Sequence, residues 1–298
     1  MLSFLPGPLR GTLIILFIIL NTLICFPFLL SAAILKLILP LPLISKYATK
    51  TAIGIANHWV AVNSALFPLF LKIEWHVNGL EGLEKDEWYL VNCNHQSWAD
   101  IPVVQKIFNR KIPMLKFFLK QELIWVPVIG LCWWALDFPF MKRYTPEQVR
   151  KRPELAGKDL ETTQKACEKF KTTPVSVFNF MEGTRLTPEK HAKQQSPFKN
   201  LLKPKAGGAA FVLGSMGEKM HTMLDITILY PNTRGNIWAM LCGKVHTVVV
   251  DIRKVEIPKQ FLGKDYTNDP EFKAEFQEWV NQLWLDKDAR IDELKAKY

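Results

Sequence analysis

The stretch Trp88-Tyr89-Leu90-Val91-Asn92-Cys93-Asn94-His95-Gln96-Ser97-Trp98-Ala99-Asp100 decides how the rest of the chain is read. Its first residues are apolar and of strand character, and they end in a polar turn that sets His95 five positions before Asp100. A histidine at a strand end can take a proton from an alcohol when a carboxylate holds its other ring nitrogen. The spacing leaves room for the Asp100 carboxylate to fold back onto the His95 ring. This is the base-and-orienter half of a serine-protease triad without a protein nucleophile, so a substrate hydroxyl would attack. The competing reading of a lone His–Asp pair is a structural hydrogen bond, and the choice rests on what stands elsewhere in the chain.

Outward from this stretch, apolar runs alternate with helical patterns. Strands are expected at 74–77, 88–93, 113–118 and 174–180, and again at 225–230, 237–242 and 246–252. Helices are expected at 101–108, 120–125 and 158–170, the last with Leu160, Cys167 and Phe170 on its inner face. The apolar run 133–140 reads as a further strand ending at Met141-Lys142-Arg143, followed by a polar surface loop over 145–157. The end, 270–285, is amphipathic, with Phe272, Phe276, Trp279, Val280 and Leu283 at helical spacing. Such alternation predicts an α/β fold, a mostly parallel sheet flanked by helices on both faces. Ligands gather at the carboxyl ends of such strands.

Polar clusters stand at those ends. Besides His95 to Asp100, they are Lys142-Arg143 and Glu182-Gly183-Thr184-Arg185. Gly183 permits a tight turn and close approach of a ligand to backbone N–H groups. Arg185 can grip a phosphate through two parallel donors, and Glu182 can hold Arg185 or a substrate hydroxyl. The bland alternative is a turn with an incidental Glu–Arg pair of little energetic weight. For Arg143 the alternative is a solvated strand end. For Lys205, ahead of Gly207-Gly208, the choice is between an anion contact and a helix entry.

The chain has 298 residues with 38 Lys+Arg against 28 Asp+Glu, a net charge of +10, and ten Trp. That balance suits an anionic membrane surface and anionic small substrates. The basic residues are scattered and no recognition-helix, zinc-finger or RNA-binding signature occurs, so no nucleic-acid partner is expected. The five cysteines lack metal or disulfide spacing, and the histidines show no metal-ligand pattern, so no metal site is expected. Cys93 beside the motif reads as strand-end packing, since no cysteine-hydrolase signature surrounds it.

Between Arg10 and Lys36 the chain carries no charge. A spanning helix needs about 20 apolar residues, so this stretch is long enough, with tilt or a kink at Pro27. Ser31-Ala32-Ala33 imitates a signal cleavage site, but the run outlasts a signal peptide's apolar region, and a retained anchor is expected. A second uncharged stretch, 51–71, carries Asn57, His58, Asn63 and Ser64 and reads as a second span or as an interfacial helix. Lys36, Lys46 and Lys50 between them place that connection in the cytoplasm by the positive-inside tendency. A half-buried helical pair that spans nothing fits equally. The expected division is a membrane anchor over 1–72 and a catalytic domain over 73–298.

Asn94-His95 with Asp100, the segment 140–143 and the segment 180–185 resemble, in order and spacing, motifs of the glycerolipid acyltransferase family, which includes the PlsC-type 1-acyl-glycerol-3-phosphate acyltransferases. The chain as a whole looks most like the bacterial YihG-type branch. Where the family usually has a proline-bearing apolar strand, Leu224-Asp225-Ile226-Thr227-Ile228 is closer to some eukaryotic lysophospholipid acyltransferases. The resemblance implies acyl transfer from acyl-CoA or acyl-carrier protein to the sn-2 hydroxyl of a lysophospholipid acceptor, with no cofactor. It makes His95 the base and Asp100 its orienter. It places Arg143, Glu182, Thr184 and Arg185 around the acceptor's glycerol phosphate. Beside the resemblance, Lys205 is expected as a further anion contact, and backbone N–H groups near Gly183 are available to phosphate or oxyanion. It implies a bacterial inner membrane, with the catalytic domain facing the cytoplasm. The rival classes are a hydrolase acting on a thioester or lipid ester, and an inactive membrane scaffold.

Overall fold

The computed structural model describes residues 2–141, 150–152, 158–231, 233, 236–266 and 268–298. Helices α1 (Gly7–Ile38) and α2 (Pro42–Phe70) come first, and an α/β unit follows. Its main sheet contains β1 (Glu74–Asn78), β2 (Tyr89–Cys93), β3 (Leu115–Phe117), β6 (Ser176–Asn179), β7 (Thr222–Leu229) and β8 (Thr247–Glu256), in the order β1-β8-β7-β2-β6-β3. Every junction is parallel except β7–β8. A small parallel pair, β4 (Leu119–Lys120) with β5 (Phe140–Met141), forms a second sheet.

Strand β2 is buried along its whole length, and its alternation divides the core. Tyr89, Val91 and Cys93 join a cluster with Val103, Val104, Ile107 and Phe108 of α3 (Asp100–Phe108). Leu90 points into the opposite cluster, which is built with α5 (Lys158–Phe170), α7 (Gly207–Met216) and α9 (Pro270–Lys297). The short α6 (Pro188–Gln194) lies between α5 and α7 in the chain. A sheet covered on both faces needs apolar side chains at successive positions, and Tyr89-Leu90-Val91 supplies them.

Helix α9 runs past the expected end at 285. Lys287 interrupts the apolar stripe, yet it is fully buried: its ammonium sits 2.8 Å from Asp225 and donates to the Ile226 carbonyl at 2.6 Å. Asp225 is also held by Arg253 at 2.7 Å and Asn92 at 2.9 Å. Asp225, within the segment 224–228, is therefore a core ion-pair partner tying α9 to β7 and β8. Its burial is tolerable because every charge has a counter-charge and hydrogen bonds.

Two expected strands are not strands of the main sheet. Residues 237–242 form α8 (Ile237–Leu241) because the Asn236 side chain accepts from the Trp238 N–H and caps a helical turn. A short apolar run is compatible with either structure, and here the cap decided. Over 133–140 the chain forms the end of α4 (Ile129–Ala135), then turns at Asp137 (φ 54°) into the two-residue β5. The Lys116 ammonium donates to the Leu136 carbonyl and closes that helix. The expected 145–157 loop falls largely outside the described residues. In α5, Cys167 and Phe170 are buried as expected, while Leu160 lies outside the described side chains.

Helices α1 and α2 pack together, and Asn21 of α1 donates to Asn63 Oδ1 (2.8 Å) and the Trp59 carbonyl (3.1 Å) of α2. Leu66, Phe67, Phe70 and Leu71 at the end of α2 belong to the same cluster as Tyr89 and Val91. Both ends of α1 are held by the α/β unit. Near its start, Arg10 donates to the Cys242 carbonyl at 2.8 Å and lies over Gly243, whose φ of 76° suits glycine and where a Cβ would meet the guanidinium at 2.6 Å. Near its end, Lys36 forms an ion pair with Asp137. Between these ties Leu16, Leu20, Ile24 and Phe28 are exposed.

Candidate active site

The site begins where β2 leaves the sheet. Asn94 replaces the missing backbone ladder, its side chain donating to the Ile228 carbonyl (3.0 Å) and accepting from the Ile228 N–H (2.8 Å). Gln96 donates to the same carbonyl at 2.9 Å. These bonds satisfy β7 while the chain turns sharply enough to bring Asp100 back to His95.

His95 Nδ1 is 2.9 Å from Asp100 Oδ2. That oxygen also accepts from the Gln96 and Ser97 N–H groups at 2.8 and 2.9 Å, and Asp100 Oδ1 accepts from the Tyr230 hydroxyl at 2.8 Å. Asp100 is fully buried, so its charge is carried by these four donors rather than by water. With the carboxylate on Nδ1, that nitrogen carries the proton and Nε2 is left as the acceptor. The imidazole stacks on Phe180, with centroids 3.8 Å apart and planes at 15°, which fixes its remaining rotation. The His95 side chain keeps 13% exposure, enough for a substrate proton to reach it.

Glu182 stands elsewhere than its type suggests. It is fully buried and reaches neither Arg185 nor solvent: Oε1 accepts from the His95 N–H at 2.7 Å and Oε2 from the Leu202 N–H at 2.9 Å. It is a bracket that fixes the histidine's backbone. Burial pushes its pKa up to about 7, with a smaller push from Asp100, against the pull of the two N–H donors and Lys287.

The rest of the turn is more open. Gly183 has φ 67°, and a Cβ there would sit 3.2–3.3 Å from the Lys205 side chain, which lies across it. Its own N–H donates to the Phe180 carbonyl at 2.8 Å, so this N–H belongs to the turn and not to a ligand. Thr184 Oγ1 accepts from Lys190 of α6 at 2.6 Å. The Arg185 guanidinium lies 4.8 Å over the Trp98 ring, which links the turn to the histidine loop. The Leu186 N–H to His95 carbonyl bond, 2.8 Å, reinforces that link. Arg143 lies outside the described residues.

Tyr230, Phe180, Trp98 and Lys190 are parts of the site that sequence reasoning did not assign. Tyr230 and Phe180 follow strand ends, as His95 does, and that placement was the available signal. Cys93 is fully buried with its thiol pushed well above its ordinary value by burial, so it stays protonated beside the motif.

Fold and site define an α/β protein with a carboxylate-held histidine at a strand end and a cation-bearing turn on the neighbouring strand. A family model described as Acyltransferase matches residues 74–228, more than half of the chain, and the protein belongs to that family, the glycerolipid acyltransferases. It is similar to the 2-acyl-1-lysophosphatidylinositol acyltransferase of Saccharomyces cerevisiae, 25% identical over 238 residues, covering 67% of this chain and 59% of that protein. It is also similar to the 1-acyl-sn-glycerol-3-phosphate acyltransferase delta of Homo sapiens, 27% identical over 189 residues, covering 60% of this chain and 45% of that one. The chain thus spans about half the length of these curated relatives. Among solved structures, the 1-acyl-sn-glycerophosphate (LPA) acyltransferase PlsC from Thermotoga maritima shares the fold, with a TM-score of 0.56 at 19% identity over 98% of this chain and 99% of that one.

Proposed function

We propose that the protein is a membrane-bound acyltransferase that moves a fatty acyl group from acyl-CoA or acyl-carrier protein to the sn-2 hydroxyl of 1-acyl-glycerol-3-phosphate, forming phosphatidic acid. The observation that carries this reading is the buried Asp100 clamp on His95 Nδ1, with no activated side-chain nucleophile among the described residues beside it. His95 Nε2 takes the hydroxyl proton as the alcohol attacks the thioester carbonyl, and Asp100 stabilises the imidazolium that forms. The tetrahedral intermediate collapses, the C–S bond breaks, and the leaving thiolate takes the proton back from His95. The thioester is already activated, so no acyl-enzyme is required. Arg185, with Lys205 and Lys190 beside the same turn, supplies the positive rim for the acceptor phosphate. Arg143 is assigned there on resemblance. A hydrolase using water would have no use for that rim.

The docking of α1 supports a monotopic arrangement. Arg10 and Lys36 lie about 39 Å apart along the helix at 1.5 Å per residue, longer than the roughly 30 Å hydrocarbon core. Yet both are bound to the α/β unit. A helix with both ends held by the same cytoplasmic unit enters one leaflet lengthwise, so both acyl chains stay in lipid while the reacting groups meet His95. The inner membrane of a bacterium, approached from the cytoplasm, suits Lys36, Lys46 and Lys50, which lie at and just after the connection between α1 and α2.

The test is incubation with labelled acyl-CoA or acyl-acyl-carrier protein, with and without lysophosphatidic acid. Acceptor-dependent phosphatidic acid supports the transferase, acceptor-free fatty acid makes it a hydrolase, and no product with either acyl-CoA or acyl-acyl-carrier protein as donor makes it a scaffold. The yeast relative's printed activity makes lysophosphatidylinositol the second acceptor to include.

A further inference from the structure

We infer that the segment 123–136 of the α/β unit is a second membrane-entering element, a rigid apolar knuckle that fixes the depth and tilt of the site in the same leaflet as the helical hairpin. The inference rests on the membrane-bound reading above. From Leu123 to Leu136 there is no charged residue, and the segment is exposed where an α/β surface would carry polar groups. Trp125 is 83% exposed, and Val126, Leu131 and Trp134 stand out with it.

The other face of the same segment says which partner this is. Cys132, Ala135 and Leu136 are buried against Leu29, Ala32 and Ala33 of α1, in one cluster with Ala52 and Ala56 of α2. The outward face of α4 therefore continues the lipid-facing surface of the hairpin, where Phe28, Ile34 and Leu35 are also exposed. Charged residues bracket the knuckle. Lys120 and Glu122 precede it, and Asp137, paired with Lys36 and Lys169, closes it. Two exposed tryptophans, Trp125 and Trp134, between charged flanks are the pattern of side chains that settle at a membrane–water boundary. A water-soluble partner would leave this continuity with the hairpin unexplained.

The knuckle is also stiff. Val128, β-branched, is held at φ 64°, a conformation such a residue adopts only when its surroundings enforce it. The Gly130 backbone is packed so closely on the Ile124 carbonyl that a Cβ would lie 2.2 Å from its oxygen. The Lys116 bond to the Leu136 carbonyl fixes the far end. A stiff insertion tied to α1 at one end of the hairpin gives the α/β unit a second point of support and so resists rocking about the helical pair.

The test is depth measurement on full-length protein in vesicles of phosphatidylethanolamine and phosphatidylglycerol. Nitroxide labels are placed by Val126→Cys on the knuckle, Leu20→Cys on α1 and Glu278→Cys on exposed α9, with the labelled parent chain giving the background from native cysteines. The expected result is that the labels at 126 and 20 collide preferentially with oxygen and the label at 278 with a water-soluble nickel chelate. Adding Trp125→Glu and Leu131→Glu should move the label at 126 toward the chelate while leaving the label at 20 unchanged. A label at 126 as open to the chelate as that at 278, with 20 still buried, overturns the proposal and leaves this face to a protein partner. Water exposure at both 20 and 126 overturns the membrane reading itself. Activity plays no part in either outcome.

Discussion

Replacing Glu182 by glutamine probes the bracket that holds the His95 loop. The wild-type carboxylate receives the His95 and Leu202 N–H groups, one on each oxygen, at 2.7 and 2.9 Å with no exposure. The amide keeps one acceptor and sets an NH2 group against the other N–H, so one donor loses its partner and must move away. Leaving a buried donor unpaired costs about 1–3 kcal/mol, and the displacement falls on His95 or on Leu202 beside it. We expect kcat/KM to fall by roughly ten- to a hundredfold with binding of the lipid acceptor little changed. The same substitution has a pH signature. Burial raises Glu182 from 4.5 to about 7, so between those values the folded chain holds a proton that the unfolded chain has released. Stability associated with this group is therefore full below about pH 4.5 and is lost as pH rises through about 7. That difference corresponds to roughly 3 kcal/mol, a change in melting temperature on the order of 5 °C. The substituted amide has no proton to lose. Melting curves by tryptophan fluorescence in detergent, taken at about pH 5 and about pH 7.5 to bracket the titration, should show a steeper decline for the parent than for Glu182→Gln. Identical declines together with undiminished kcat/KM would refute both the bracket and its titration.

The remaining expectations concern the base, its orienter and the anion rim. His95→Ala should abolish transfer while the protein stays folded and membrane-bound, measured by acceptor-dependent turnover alongside vesicle sedimentation; near-normal turnover removes His95 as base. Tyr230→Phe strips the donor from Asp100 Oδ1 inside the core, so we expect a stability loss of about 1–3 kcal/mol and a lower kcat at unchanged KM, read by thermal melts and steady-state kinetics. If kcat and melting temperature both hold, Tyr230 does not support Asp100. Arg185→Ala should raise the apparent KM for lysophosphatidic acid more than that for the thioester, with a loss of about thirty- to several-hundredfold in kcat/KM, and Arg185→Lys should recover part of it. A defect confined to the donor would instead mean that Arg185 grips the phosphates of CoA.

The amino-acid sequence by itself determined the local chemistry. The apolar run ending in Asn94-His95 with Asp100 marked the candidate base, its orienter and their place at a strand end, because strand period and turn chemistry are short-range. The two charge-free stretches near the start were legible because each is written in consecutive residues, and the mostly parallel sheet was legible from strand and helix patterns alternating along the chain. Tertiary structure decided what depended on a distant partner. Glu182 became a bracket because the backbones of His95 and Leu202 converge on it in a buried place. Residues 237–242 became a helix through the Asn236 cap and contact with α1, where an apolar run alone fits strand or helix. Lys287 turned inward because Asp225, brought to it by the antiparallel β7–β8 pair and α9, offered a counter-charge, and no spacing along the chain encodes that meeting. Most of all, α1 reads from its composition as a spanning helix. Its ties at Arg10 and Lys36, made by residues far along the chain, lay it against the α/β unit, because hydropathy reports the solvent a helix prefers but not which side of that solvent its ends are held on.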